Sequence, residues 1–460
     1  MNNKYFGTDG FRGEANVGLT ATHAFKIGRF LGWYFSSDIS AAEHSHDRPR
    51  VVIGKDTRRS SYMLEYALAS GVIASGGDAY MLHVTTTPSV SYVTRQESFD
   101  CGIMITASHN PFYDNGIKLI NRYGEKFDDN ATQLVESYID GDMQSLGITD
   151  SDLPLAKREN IGAIIDYVSG RNRYIGYLIS LASHSYKNLR IGLDCANGAV
   201  WNIANSVFSA LGAQTVVVGR EPNGTNINEN CGSTHIERLC ELVKQNHLDA
   251  GFAFDGDADR CIAVDEKGNV VDGDKMLYIL AHRLKDRQML GGNTVVATIM
   301  SNSGFVNSLK SSGIDCSLTT VGDRFVYERM QQCDYDLGGE QSGHIIMKKY
   351  ATTGDGLLTA IMITEELCDR KSTLSELAEP VFLYPQYTKN VQVNDKAAVK
   401  NNCYVQNELK EVENKISGKG RVLIRESGTE PVLRVMVECE SEEKCREYAE
   451  QIASVIEQNK

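Results

Sequence analysis

GFAFDGDADR, residues 251–260, runs from a short apolar strand into a loop that carries a carboxylate at every second position. In extended backbone alternate side chains share a face, which predicts that Asp255, Asp257 and Asp259 converge on one point. Three carboxylates cannot stay ionised together without a cation, and an all-oxygen ligand set selects a hard one, Mg²⁺ by preference. Arg260 adds positive charge beside them. An EF-hand loop would need Gly where Arg260 stands, and CIAVDEKGNVV (261–271) reads as a hairpin instead of an exiting helix. A phosphatase with a strand-end DxD nucleophile usually carries that motif near the chain start with Thr or Val after the second Asp, where Ala258 stands. A solvated acidic turn is the remaining alternative.

The strand before the loop belongs to a pattern that occurs three times. RVVI (50–53), YML (80–82) and GIMI (102–105) are apolar strands separated by helix-length segments, and the third opens into TASHNP (106–111). LRIGL (189–193), TVVV (215–218) and GFAF (251–254) repeat the arrangement and end in DGDADR. TVVA (294–297), CSL (316–318) and YDL (335–337) repeat it again and end in GEQSGH (339–344). Such alternation predicts βαβ units and parallel sheets, with ligands beyond the carboxyl ends of the strands, where the three polar loops fall. After about residue 372 the pattern changes. VQV (391–393) and RVMVE (434–438) alternate like half-buried antiparallel strands. Ser441 then caps a helix with Glu442 and Glu443 in its first turn and an apolar stripe of Cys445, Tyr448, Ala449, Ile452 and Ile456. The stretches 152–161 and 380–385 read as linkers.

At 460 residues the chain exceeds the roughly 250–300 that one core supports, so two to four domains are expected. A net charge of −13 argues against nucleic-acid or anionic-membrane partners, so an anionic ligand would need positive charge local to its site. Eleven cysteines without CxxC pairs or Cys/His clusters suit a reducing compartment. The N-terminus lacks an apolar signal core and no apolar run reaches the ~18 residues of a membrane span, so a soluble cytoplasmic protein is expected.

Three further loops gain meaning from the carboxylate loop. Ser108 in TASHNP lacks the G-x-S-x-G elbow of serine hydrolases and taken alone reads as a turn or cap residue, yet beside a metal it can exchange a phosphoryl group; Lys118 of NGIK (115–118) is a candidate for the same pocket and by itself reads as a surface lysine. GEQSGH offers Glu340 and Ser342 to a polyhydroxylated ligand and His344 as a proton shuttle. RESGTEP (425–431) combines Arg425, Ser427, Gly428 and Thr429 into a phosphate cradle of hydroxyls, turn N–H groups and an Arg fork.

GTDGFRG (7–13), TASHNP, DGDADR, GEQSGH and RESGTEP, in this order along the whole chain, resemble the α-D-phosphohexomutase superfamily. FGTDGFRG (6–13), SHNPFYDNGIK (108–118), GGEQSGH (338–344) and the string from Tyr384 to Val391 are in the style of its glucosamine-phosphate branch, and phosphomannomutase/phosphoglucomutase relatives typically carry Met where Gln341 stands. Phe11 replaces a commoner Ile, Ala258 a commoner Gly, and Glu426 lies beside the expected cradle and should point to solvent.

The resemblance implies three similar α/β domains with mixed, largely parallel sheets and a smaller C-terminal α+β domain around a central cleft, here bounded as 1–158, 159–256, 257–372 and 373–460. It implies that Ser108 carries a phosphoryl group, and that Asp255, Asp257 and Asp259 with a Ser108 phosphate oxygen bind one Mg²⁺ per chain. Arg12, Lys118 and His344 become the expected catalytic groups; Arg260, Glu340, Ser342, Arg425, Ser427, Gly428 and Thr429 become the expected substrate-binding groups. Arg12, Arg58, Lys118, Arg260 and Arg425 are expected to offset the phosphate charge. The implied reaction interconverts glucosamine 6-phosphate and glucosamine 1-phosphate through a 1,6-bisphosphate, activated by catalytic hexose 1,6-bisphosphate, on the route to UDP-N-acetylglucosamine and peptidoglycan. Glucose and mannose phosphates are the alternative substrates, and a monomer or homodimer is expected.

Overall fold

The computed structural model describes residues 4–7, 9–36, 46–416, 420–426 and 431–459. Two compact units emerge: residues 1–300 with 315–378, and residues 301–314 with 379–460. Among the described residues no helix is long and apolar enough to cross a membrane.

The first unit holds three sheets built on one plan. In the first, Cys101–Ile105, Arg50–Lys55, Asp78–Val84 and Ile164–Asp166 run parallel, and Asp114–Asn121 returns antiparallel beside Cys101–Ile105. Gly10–Glu14 and Phe6–Gly7 extend that antiparallel edge. In the second, Ala250–Phe254, Arg190–Asp194 and Gln214–Val218 are parallel, with Cys261–Asp265 antiparallel to Ala250–Phe254 and Val270–Val271 beyond it. In the third, Leu337–Gly339, Thr294–Thr298 and Asp315–Thr319 are parallel, and Ile345–Met347 returns antiparallel. Each sheet therefore contains one such hairpin, and TASHNP, DGDADR and EQSGH lie in the three hairpin turns. Strands Cys101–Ile105, Ala250–Phe254 and Thr294–Thr298 are buried throughout, as strands covered on both faces must be.

Helices cover the sheets closely. Ala21–Tyr34 and Arg59–Ala74 meet through glycines: a Cβ on Gly28 would lie 2.1 Å from the Leu68 carbonyl oxygen, and one on Gly71 2.2 Å from that of Phe25. Only residues without a Cβ allow that approach.

The expected borders shift. The hairpin Ala250–Phe254/Cys261–Asp265 keeps 257–271 in the second sheet, so a border at 256/257 would cut a ladder of paired backbone groups. Ile164–Asp166 pairs with Asp78–Val84, which carries the first sheet past residue 158. Leu374–Ala378 belongs to the first unit, past the expected border at 372/373.

The second unit is an antiparallel sheet ordered Gln386–Gln392, Val432–Glu438, Arg421–Glu426, with helices Cys403–Lys415 and Glu442–Gln458. Val391, Leu433, Val435 and Val437 form its core with Cys445, Ala449, Ile452 and Ile456, the expected stripe, while Tyr448 is partly buried against it. Ser441 stands at the cap position, but its hydroxyl makes no capping bond; Glu442 and Glu443 supply the negative charge that favours a helix N-terminus.

Candidate active site

Ser108 sits in the first hairpin turn with a left-handed backbone (φ +52°) and is 1 % exposed. Its N–H donates to Thr106 Oγ1 (3.0 Å) and its hydroxyl to Asp255 Oδ2 (2.6 Å), with His109 Nδ1 3.3 Å from Oγ. The first two sheets thus bring the serine and the carboxylate loop together, although 147 residues separate them.

Asp255, Asp257 and Asp259 are buried, each with an oxygen within 4.8 Å of the others. A turn, not an extended strand, produces the convergence. The Ala258 N–H closes on the Asp255 carbonyl (3.1 Å), and Ala258 takes a left-handed φ of +55°. Glycine adopts that conformation freely, whereas alanine bears a cost of about 1 kcal/mol.

Lys118, on Asp114–Asn121, reaches Asp257 Oδ2 (2.6 Å) and Asp259 Oδ2 (3.0 Å). Burial opposes its charge, but Asp257 and Asp259 outweigh burial and hold its pKa above the ordinary lysine value. Asp259 is correspondingly held well below the usual carboxylate range: burial works against this, and Lys118 dominates it. Asp255 goes the other way, pushed up by burial and by the charges of Asp259 and Asp257. The Asp257 Oδ1 and Asp259 Oδ1 atoms are buried and accept no hydrogen bond. Unsatisfied anionic oxygens beside a carboxyl that resists ionisation fit a hard divalent cation.

Arg260 donates its backbone N–H to Asp255 Oδ1 (3.2 Å), and its Nε lies 4.0 Å from Asp259 Oδ1. Arg12, opposite Gly116 on the neighbouring strand, pairs with Asp9 at 3.4 Å. His344 is buried, with Nδ1 3.7 Å from Asp259 Oδ1 and Nε2 3.5 Å from Asp323 Oδ2, and the Gly354 N–H lies 3.1 Å from Nε2. The half-buried Glu340 accepts the Gly322 N–H (3.2 Å) and faces the Ser342 hydroxyl (3.4 Å). Gln341 donates to Asp272 Oδ2 (3.2 Å), so it anchors the loop to the start of helix Gly273–Asp286. Close approach seats this third loop on the second sheet: a Cβ on Gly343 would fall 2.0 Å from the Cys261 carbonyl oxygen. Arg425 lies on Arg421–Glu426 of the C-terminal unit and Glu426 is exposed; Ser427, Gly428 and Thr429 lie outside the described residues.

Sequence reading passed over several participants. Thr87, at the start of helix Thr87–Gln96, donates its N–H to the Asp257 carbonyl (3.0 Å) and its hydroxyl to Asp257 Oδ2. Lys126 pairs with Asp323 (2.7 Å), and both line a cavity of about 180 Å³ with Lys118 and Asp259. Arg58, read as counter-charge, is instead neutralised by Asp56 at 2.8 Å.

Comparison with known proteins gives these residues their context. The models for phosphoglucomutase/phosphomannomutase alpha/beta/alpha domains I, II and III match residues 3–145, 172–268 and 272–384, and the C-terminal domain model matches 389–455. The phosphoglucosamine mutase of Lachnospira eligens is 57% identical over 453 residues, 98% of each chain. That of Lachnoclostridium phytofermentans is 54% identical over 99% of this chain and 98% of its own. Among solved structures, a phosphoglucomutase/phosphomannomutase family protein from Burkholderia thailandensis shares the fold at TM-score 0.79 and 22% identity, covering 99% of this chain and 97% of that one. Aspergillus fumigatus N-acetylphosphoglucosamine mutase, solved with GlcNAc-6P and magnesium, does so at TM-score 0.70 and 16% identity, over 99% and 96%. The chain belongs to the phosphoglucomutase/phosphomannomutase family, the α-D-phosphohexomutases, and groups there with the phosphoglucosamine mutases.

Proposed function

We propose that the protein interconverts glucosamine 6-phosphate and glucosamine 1-phosphate, with Ser108 carrying the phosphoryl group between the two hydroxyls. The observation that carries this reading is the Ser108 hydroxyl 2.6 Å from Asp255 in a buried three-carboxylate cluster, in a chain 57% identical to a phosphoglucosamine mutase. Asp255, Asp257, Asp259 and a phosphate oxygen on Ser108 would hold one Mg²⁺. Bound there, the ion would stabilise the charge of the phosphoryl group in transit.

The chain's own residues divide the remaining work. Lys118, held charged by its two aspartates, suits charge stabilisation and not proton abstraction. Arg12 and Arg260 add permanent positive charge. His344 is left for the proton of the attacking hydroxyl, since an imidazole can take and return one near neutrality. Glu340 and Ser342 would orient the sugar hydroxyls, while Arg425 with Ser427, Gly428 and Thr429 would hold the phosphate that is not being transferred. Transfer from phosphoserine gives a 1,6-bisphosphate, which turns over and returns its other phosphate to Ser108. A hexose 1,6-bisphosphate would reload enzyme that has lost its intermediate. A cytoplasmic monomer or homodimer supplying the route to UDP-N-acetylglucosamine and peptidoglycan completes the proposal.

The test is a mutase assay on glucosamine-, glucose- and mannose-6-phosphate with Mg²⁺ and glucose 1,6-bisphosphate. The highest kcat/KM is expected for glucosamine 6-phosphate. Preference for glucose or mannose would overturn the substrate, and free phosphate without any 1-phosphate would overturn the reaction.

A further inference from the structure

The Ser108 carbonyl oxygen is gripped from two elements. Arg58 Nη2, from the loop after Arg50–Lys55, donates to it at 2.9 Å and to the Asn110 carbonyl at 2.8 Å. Asn228 Nδ2, from the segment between Gln214–Val218 and Glu237–Asn246, donates to the same two oxygens at 2.8 and 3.1 Å. Gly256 supplies the room, because a Cβ there would stand 2.4 Å from the Ser108 oxygen. Arg58 Nη1 further donates to the carbonyls of Asp114 (3.1 Å) and Pro111. Its Nε and backbone N–H are fixed on Asp56 (2.8 and 2.9 Å), which also accepts the Ser61 hydroxyl.

This is not how a residue is placed to neutralise a phosphate. The side chain is fully buried, its charge is matched by Asp56, and its remaining donors are spent on backbone oxygens of one loop. That loop is strained where it matters: a Cβ-bearing residue with φ near +52° costs about 1 kcal/mol and persists only when its surroundings over-determine it.

We propose that Arg58, seconded by Asn228, is the positioning residue for Ser108: it fixes the serine's carbonyl so that the hydroxyl stays aimed at the carboxylate cluster. Because Arg58 belongs to the first sheet's loop and Asn228 to the second's, the grip also sets the register of the serine turn against the carboxylate turn. The proposal rests on Ser108 being the phosphoryl carrier.

Full-length Arg58→Lys and Asn228→Ala variants test it. Lysine keeps the charge near Asp56 but cannot span the oxygens of the loop. A misplacement of about 1 Å costs on the order of 100-fold, so kcat should fall about 100-fold in R58K and about 10-fold in N228A, with KM for the sugar phosphate within about threefold. Loading of Ser108 from hexose 1,6-bisphosphate should slow by the same factors. A purely structural residue would lower the melting temperature and leave kcat and loading of the folded enzyme unchanged, and that result in both variants overturns the proposal. If R58K does not fold, N228A decides alone: wild-type kcat and loading rate there overturn it. Wild-type enzyme that never loads at Ser108 would instead fail the underlying reading.

Discussion

Ser108→Ala is expected to lose mutase turnover by at least about 10⁴-fold while remaining folded. On the proposed route Ser108 is the covalent nucleophile, so its removal would eliminate the two-step path and leave only binding and electrostatics to assist a direct transfer. The structure indicates why the fold should survive. Alanine accepts the φ of +52° about as well as serine, and the backbone anchors from Thr106, Arg58 and Asn228 do not involve the hydroxyl. What is lost is the bond to Asp255, whose carboxyl is already pushed toward its neutral form by burial and by Asp259 and Asp257. One buried donor removed costs about 1–3 kcal/mol, too little to unfold a chain of this size. Turnover by coupled 1-phosphate assay and melting temperature by circular dichroism check both halves.

Asp257→Asn should have the second largest effect. Asp257 Oδ2 already serves Lys118 and Thr87, while Oδ1 is buried with no hydrogen-bond partner, so this residue has an oxygen to give to a cation. The substitution keeps the shape and removes the charge. Loss of a supporting neighbour of a metal ligand costs roughly 10–100-fold in affinity or activity, and loss of a ligand should exceed that. Mg²⁺ binding to the native state should raise the melting temperature of the wild-type protein, and D257N should lose most of that rise. Chelation should silence the wild type and added Mg²⁺ restore it. A D257N protein with wild-type activity and an unchanged Mg²⁺-dependent melting shift would contradict the assignment.

The strand ends were legible because their signal is local. Four- or five-residue apolar runs break into polar loops, and each of TASHNP, DGDADR and EQSGH falls in a hairpin turn at a carboxyl end. The pairing of Ser108 with the three aspartates followed from chemistry, since a serine and a cation site explain each other. Local geometry was harder. The aspartates meet through a left-handed turn at Ala258, and alternation in an extended chain would have predicted the same convergence for a different reason.

Other features have no local signature at all. Thr87, Asn228 and Arg58 act on partners 50 to 170 residues away, and mostly on backbone oxygens, which no side-chain pattern encodes. Gln341, which marks the branch in the sequence, spends its amide on Asp272, a contact that no local pattern announces. The border drawn at 256/257 failed because a strand-end loop resembles a domain end until the returning strand Cys261–Asp265 is seen to pair.

The most direct measurement is phosphoryl loading. Purified wild-type protein is incubated with Mg²⁺ and hexose 1,6-bisphosphate, freed of excess reagent, mapped by mass spectrometry, and then given glucosamine 6-phosphate for a single turnover. One phosphoryl group should appear on Ser108; when it is loaded with an isotopic label, the label should pass into the sugar 1-phosphate while the substrate's own phosphate takes its place on Ser108. A protein that stays unmodified while catalysing the isomerisation, or one that carries the group on another residue, would contradict the account.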